Sequence, residues 1–342
     1  MSNATGAVYV QTNDGERNEV VIYRRDPNGR LERIGAVATG GCGTGQPHLA
    51  SQGSVVQWNG WVLVTNAGSD DISVLAADNV VLTLVDRVAS GGSTPTSIAV
   101  HGSLAYVLNA AGEPNVSGFT IGEDGRLIPL PDSARPLGAD SDPAQVAFSP
   151  DRRSLVVTDR ASDSIHVFAI DENGRASDPV THRSSGATPY GFGFRPDGTL
   201  VVTEAAGAQI GKASASSYVL AGPTQLQPRT GPVGNTRSEV CWAAISADGR
   251  YAFVTNFGDG TISTYAIADD GSIELHEAVA ATTVDGEPGI RDEALTRDGR
   301  FLYALHADSR RVYGWEVGGD GTLAPIGSVD GLPATAAGLA AS

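Results

Sequence analysis

Short apolar runs alternate with polar turns along the whole chain, and the turns recur in nearly the same letters. The segments PAQVAFSPDRRSLVVTD from Pro143, PYGFGFRPDGTLVVTE from Pro189, VCWAAISADGRYAFVTN from Val240 and IRDEALTRDGRFLYALH from Ile290 set the pattern. Each reads as a strand, a turn carrying Asp-Gly or Asp-Arg, and a second strand that closes on a polar residue. Looser copies run from Ala50 to Asn66 and from Pro95 to Asn109. The closing residues are Asn66, Asn109, Asp159, Glu204, Asn256 and His306, and they recur every 43 to 52 residues. That period fits a four-stranded propeller blade rather than a helical repeat.

Two further strands are legible within a period. Asp163 to Ile170 and Gly260 to Ile267 alternate in hydrophobicity at period two, and a turn such as Asp269-Asp270-Gly271 leads to a fourth, more polar strand. We label the four A, B, C and D from the axis outward. Six copies are complete, and residues Gly6 to Gly40 supply B, C and D of a first blade that lacks its A strand. The segment Pro333 to Leu339 resembles the other A strands, so the chain end is expected to close the ring by completing the first blade. The expected fold is all-β: one seven-bladed β-propeller domain over residues 1–342, with residues 1–5 a disordered start or the remnant of a removed tag. One aligned A-strand position carries only small residues: Ser54, Ala99, Ala147, Gly193, Ala244 and Ala294. The next is mostly bulky, with Val55, Val100, Phe148, Phe194, Ile245 and Leu295, as close packing between blades near a narrow axis requires.

Composition narrows the function classes. Among 342 residues, 39 acids against 23 bases give a formal charge of −16, and Lys212 is the single lysine. Such a balance argues against nucleic acid and against an anionic membrane surface, both of which need clustered cations. No signal peptide or spanning segment is recognisable, which predicts a cytoplasmic chain, expected to be a monomer. Cys42 and Cys241 are too few for a disulfide scaffold and have no CxxC partner for zinc, so both read as reduced thiols.

In an A–B hairpin the start of A lies beside the end of B, so these residues are expected to gather at one mouth of the central channel, the default site for a small-molecule substrate. Gln52, Ser97, Gln145, Trp242, Asp292 and Thr335 belong there from A strands, joined by the B-end residues and the loops Gly40–Gly45 and Asn235–Glu239. Asn66, Asn109 and Asn256 can equally cap turns by bonding nearby backbone. Glu204 and His306 depart from the asparagine pattern and are candidates for acid–base chemistry. Asp159 can pair with Arg160, Arg152 or Arg153. Arg291 or Arg237 can polarise a carbonyl, while Tyr190, Phe192 and Trp242 supply walls. His48 stands at the entrance to the second blade; His101, His166, His182 and His276 fall on the far side or on outer strands. Cys241 is a conceivable nucleophile and equally a buried thiol. The glycine-rich loop around Cys42 has no following helix to bind phosphate, and reads as a lid or spacer. Asn, Asp and Glu oxygens around the axis are of the type that calcium takes, but no compact DxDxD pattern supports such a site, and neither metal nor cofactor is expected.

With its SPDxR, RPDG, SADG and TRDG turns and its VVT and FVTN strands, nearly the whole chain resembles the seven-bladed propeller lactonases, a family that includes bacterial 6-phosphogluconolactonase and fungal carboxy-muconate cyclases. The resemblance implies a cofactor-free enzyme that opens or forms a lactone. The family places a His after the Pro of the fourth blade's A strand, where this chain has Ala144 after Pro143. Its Pro-Arg-His in the fifth blade becomes Pro189-Tyr190-Gly191, and an Arg of the sixth aligns with Ala244. Glu204 and Arg291 match family positions. A divergent member is implied, acting as a lactone hydrolase or lactonising isomerase on a small metabolite with few charges. The rival reading is a non-catalytic binding or scaffold propeller.

Overall fold

The computed structural model describes residues 6–47, 49–284 and 287–342, so the expectations for residues 1–5 and His48 lie outside the described residues. Seven antiparallel sheets, each built from one sequence repeat, form seven blades, and their A strands ring one axis in chain order. The first blade joins Gly6–Gln11, Glu19–Arg25 and Leu31–Ala38 to the C-terminal strand Ala337–Ala341. The expected ring closure is therefore present. The closing strand starts four residues later than the sequence suggests, because Pro333 has no N–H for the ladder and accepts the Ala336 N–H in a turn instead. In the third blade the outer strand is split into Leu127–Pro129 and Arg135–Pro136, both paired with Asn115–Ile121, where three prolines interrupt the ladder.

Burial follows the order of strands. The B strands, such as Ser154–Asp159 and Thr199–Glu204, are buried along their whole length, whereas D strands such as Val180–Arg183 are largely exposed. Alternate faces of neighbouring blades interlock into separate apolar clusters; Val156, Ile165, Phe192, Leu200 and Tyr218 form one of them. The small A-strand position is required by this spacing, since a methyl group on Gly193 would lie 2.7 Å from Ile245 Cγ1 in the next blade.

The A strands are irregular at the end that faces the mouth. Pairing jumps from Pro189↔Glu204 to Phe192↔Val202, from Val240↔Asn256 to Ala243↔Val254, and from Ile290↔His306 to Glu293↔Ala304. Each jump leaves two A-strand residues opposite one on B, a β-bulge that turns its side chains out of strict alternation. Tyr190, Gly191, Cys241, Trp242, Arg291 and Asp292 are the bulged residues. Threonines near the ends of the B strands hold the bulges: Thr203 Oγ1 donates within reach of both the Gly191 and Cys241 carbonyls, at 2.9 and 2.7 Å. Thr158 Oγ1 likewise donates to the Tyr190 carbonyl of the next blade.

Across the axis, the segment before the second blade's A strand closes the channel. Gln52 Nε2 donates to the Ala243 carbonyl and its Oε1 accepts the Ala243 N–H, bridging the second blade to the sixth. Ser51 Oγ donates to the Ala144 carbonyl of the fourth. The preceding Gly40–Gly45 loop is a packed spacer, with Gly43 and Gly45 donating to Asp14 and Asn13 carbonyls.

Candidate functional site

With the axis bridged, an opening lies to one side of the mouth, over the fourth to seventh blades. It is a cleft of about 460 Å³ lined by Asp142, Arg160, Thr188, Tyr190, Glu239, Cys241, Phe257 and Arg291, with small residues between them. Its charged groups balance, two guanidiniums against two carboxylates. Arg160 is held in place: it ion-pairs with Asp142, and its Nη1 donates to the Tyr190 hydroxyl at 2.9 Å. Arg291 is not held in that way. It is only 6% exposed, its Cζ stands 5.4 Å from the centre of the Phe257 ring, and its buried Nε and Nη1 have no partner among the described residues. Burial lowers its pKa, a sign that the cation is poorly solvated where it stands. A buried guanidinium with unused donors is costly unless something supplies acceptors.

Glu239 faces the same cleft, half-buried, and its carboxylate makes no hydrogen bond or ion pair among the described residues. It sits in the left-handed region at φ 53°, and Thr188 and Ala208 on the cleft lining share that conformation at 58° and 60°. Non-glycine residues rarely adopt it, and such strain concentrates at functional sites. The Cys241 thiol, by contrast, is pushed up to about 12 by burial and donates to the Glu239 carbonyl at 3.4 Å, so it is no thiolate nucleophile at neutral pH.

The residues anticipated from sequence divide into distinct sets. Arg291 and Tyr190 line the cleft, and Arg237 lines a groove that adjoins it. Trp242 is 1% exposed and packs behind Tyr190, with ring centres 4.9 Å apart. Phe192 is in the core between the fourth and fifth blades rather than a wall, because the bulge at Tyr190 and Gly191 returns it to the ladder facing inward. Gln145 clamps neighbouring A strands through the Phe192 N–H and carbonyl. Asp292 does so with one bond, accepting the Gly338 N–H at 2.8 Å, and its carboxyl is pushed up to about 7 by burial.

The B-end residues lie outside the cleft lining and bond within and between the blade ends. Asn66 bonds Asp71 and Ser73 of its own C strand and takes bonds from Asn18 and Thr39 of the first blade. Asn256 does the equivalent with Asn235, Thr261 and Ser263, whereas Asn109 only donates, to the Ser90 carbonyl and to Asn115 Oδ1. Glu204 occupies the corresponding place: it is fully buried and accepts from the Gly186 N–H at 2.8 Å and Ser214 Oγ at 2.7 Å. Glycines of the entering loops lie directly over these side chains. A methyl group at Gly41 or Gly92 would stand 2.5 Å from Asn66 Cγ or 2.7 Å from Asn109 Cβ, and one at Gly186 would collide with the Glu204 carboxylate. Glu204 is thus sealed from the cleft, with its pKa raised by burial. His306 is also fully buried, its Nδ1 accepting the Ser309 N–H at 3.1 Å. Asp159 pairs with none of the arginines suggested by sequence; it accepts from Ser162 and from the backbone of Asp142 and Ala161, and lies beside His166.

Arg160 and Asp142 line the cleft although sequence reasoning gave Arg160 only the role of a partner for Asp159 and Asp142 none; Thr188 and Phe257 were not singled out, and Glu239 was placed only within a mouth loop. A signal for the first two exists: each is one residue outside the paired ends Pro143↔Asp159, which places them side by side at the mouth.

The model of the lactonase family with a seven-bladed β-propeller matches residues 119–210 and 205–342. The chain belongs to that family. A 6-phosphogluconolactonase of Yersinia pestis (strain Pestoides F) is 26% identical over 123 residues, a stretch that covers 34% of this chain and 36% of that relative's length. Among solved structures, the periplasmic gluconolactonase of Pseudomonas aeruginosa superposes with a TM-score of 0.74 at 18% identity, covering 99% of both chains. A Lactobacillus plantarum protein reaches 0.75 at 16% identity over 99% of this chain and all of that one. These two likenesses show the fold. For this lactonase-family chain, no helix of the described residues is long and apolar enough to cross a membrane.

Proposed function

We propose that the chain hydrolyses a small lactone in the cleft between the fourth and seventh blades. The observation that carries this reading is a pair of groups there that lack partners among the described residues: the Arg291 guanidinium, buried with unused N–H donors, and the Glu239 carboxylate, without a hydrogen bond. A lactone supplies what both lack. Its carbonyl oxygen accepts from Arg291, and that oxygen becomes the oxyanion of the tetrahedral intermediate, where a fixed cation acts most strongly. Glu239 takes a proton from water as the water oxygen bonds to the carbonyl carbon. The ring C–O bond then breaks, the same proton passes from Glu239 to the departing ring oxygen, and a hydroxy acid results. Tyr190, fixed by Arg160, and Phe257 form the walls against which the ring is oriented.

The Yersinia pestis relative and the Pseudomonas aeruginosa neighbour, a 6-phosphogluconolactonase and a gluconolactonase, favour sugar lactones as the first compounds to try. Hydrolysis of a panel of sugar and aliphatic lactones, corrected for the spontaneous rate, tests the reading with two glutamine variants. Glu239→Gln is expected to lower kcat by about 10²-fold or more, while Glu204→Gln lowers stability and retains turnover in the folded fraction. A lactone turned over equally by wild type and Glu239→Gln would remove Glu239 from the mechanism. No turnover of any lactone would favour the non-catalytic binder.

A further inference from the structure

The cleft does not end at Glu239. Ala208, Glu239 and Phe257 are shared with a second groove of about 620 Å³, which runs outward between the fifth and sixth blades and is further lined by Ile210, Thr236, Arg237, Ser238, Asp259 and Pro288. Arg291 belongs to the inner cleft only. A lactone whose carbonyl is held at Arg291 and whose attacking water is held at Glu239 therefore leaves the outer groove to whatever substituent the ring carries.

The lining defines that substituent. Phe257, Pro288 and Ile210 offer apolar faces, and Ile210 is 89% exposed at the rim with no covering residue to explain it. The polar partners are a loose pair, Arg237 Nη1 standing 3.7 Å from Asp259 Oδ2, together with Thr236 and Ser238. Arg237 Nε is buried and has no partner among the described residues. One cation against Glu239 and Asp259 leaves the groove with a net negative charge, which disfavours a phosphate or carboxylate arm. Apolar surfaces beside unused donors and acceptors suit a sugar ring, whose C–H faces stack while its hydroxyls bond. The rim is strained as well: Thr236, an exposed β-branched residue, stands at φ 63°.

We infer that the substrate carries a second, uncharged sugar ring, as in the lactone of a disaccharide oxidised at its reducing end, with that ring in the outer groove. The inference rests on the lactonase reading for the position of the first ring. A reaction that oxidises the terminal aldose of a disaccharide must then supply the substrate.

Two measurements keep the inference separate from that reading. The first compares kcat/KM for cellobiono-δ-lactone and glucono-δ-lactone in wild type, Ile210→Ser and Arg237→Met. The second is calorimetric binding of the corresponding lactams, whose ring amide resists hydrolysis far more than the ester of a lactone. A preference of roughly tenfold or more for the two-ring compounds is expected in wild type, shrinking in both variants. Equal kcat/KM for the two lactones, or equal binding of the two lactams, would overturn the outer sugar site. Tighter binding of the two-ring lactam without turnover of either lactone would support the outer site while refuting the hydrolysis.

Discussion

Glu204 and Glu239 are both glutamates near the mouth, and their surroundings give them different work. Glu204 ends a fully buried strand and receives the Gly186 N–H and the Ser214 hydroxyl, so its oxygens are spent on holding the incoming loop. Glu239 stands in an entering loop with its carboxylate unengaged among the described residues, in a backbone conformation that costs free energy. Sequence could mark Glu204 as unlike the asparagines but could not show the glycine that seals it. Asp292 illustrates how burial alone tunes a residue. Its folded pKa is raised from 3.8 to about 7, so the folded state holds its proton more tightly than the unfolded chain does. Its contribution to stability is accordingly present below about pH 4 and is lost as pH rises to about 7, by at most ~1.4 kcal/mol per unit. Asp292→Asn keeps the acceptor for the Gly338 N–H without a charge. Urea midpoints at pH 5 and pH 8 should show a smaller fall in the variant than in wild type, and an unchanged fall would show that Asp292 does not titrate in this window.

At the scale of the element, the apolar–polar pattern predicts the strands well because ladder residues obey period two. It fails at the mouth because the A strands bulge there. Phe192 was expected as a cleft wall and Cys241 as an open question; the bulges at Tyr190–Gly191 and Cys241–Trp242 turn Tyr190 and Cys241 toward the cleft and Phe192 into the core. The repeated VVT and FVT strands carried the signal: Thr158 and Thr203 donate to bulged carbonyls and Thr255 accepts the Trp242 N–H, though no rule of alternation gives them that role. Thr203→Val removes a donor shared by the Gly191 and Cys241 carbonyls inside the core. A loss of about 1–3 kcal/mol is expected by chemical denaturation. An unchanged midpoint would mean that other groups hold the fifth and sixth blades in register.

For the whole molecule, the repeat period, the blade count and the closure of the first blade by the C-terminal segment were legible in the sequence, because each blade must bury its faces against two neighbours. The position of the cleft was not. It depends on a contact between distant residues, Gln52 reaching from the second blade to Ala243 in the sixth, which closes the axis and leaves the opening to one side. The formal charge of −16 is likewise a property of the rim rather than of this opening, where Arg160 and Arg291 balance Asp142 and Glu239. On the reading proposed, the buried Arg291 Nε and Nη1, without a hydrogen-bond partner among the described residues, await the oxygen of a lactone carbonyl. Proton release from glucono-δ-lactone in a pH-stat, wild type against Arg291→Met at matched folded concentration, tests it most directly. A fall in catalysed release of about 10²-fold or more is predicted, and a variant that matches wild type would contradict the assignment.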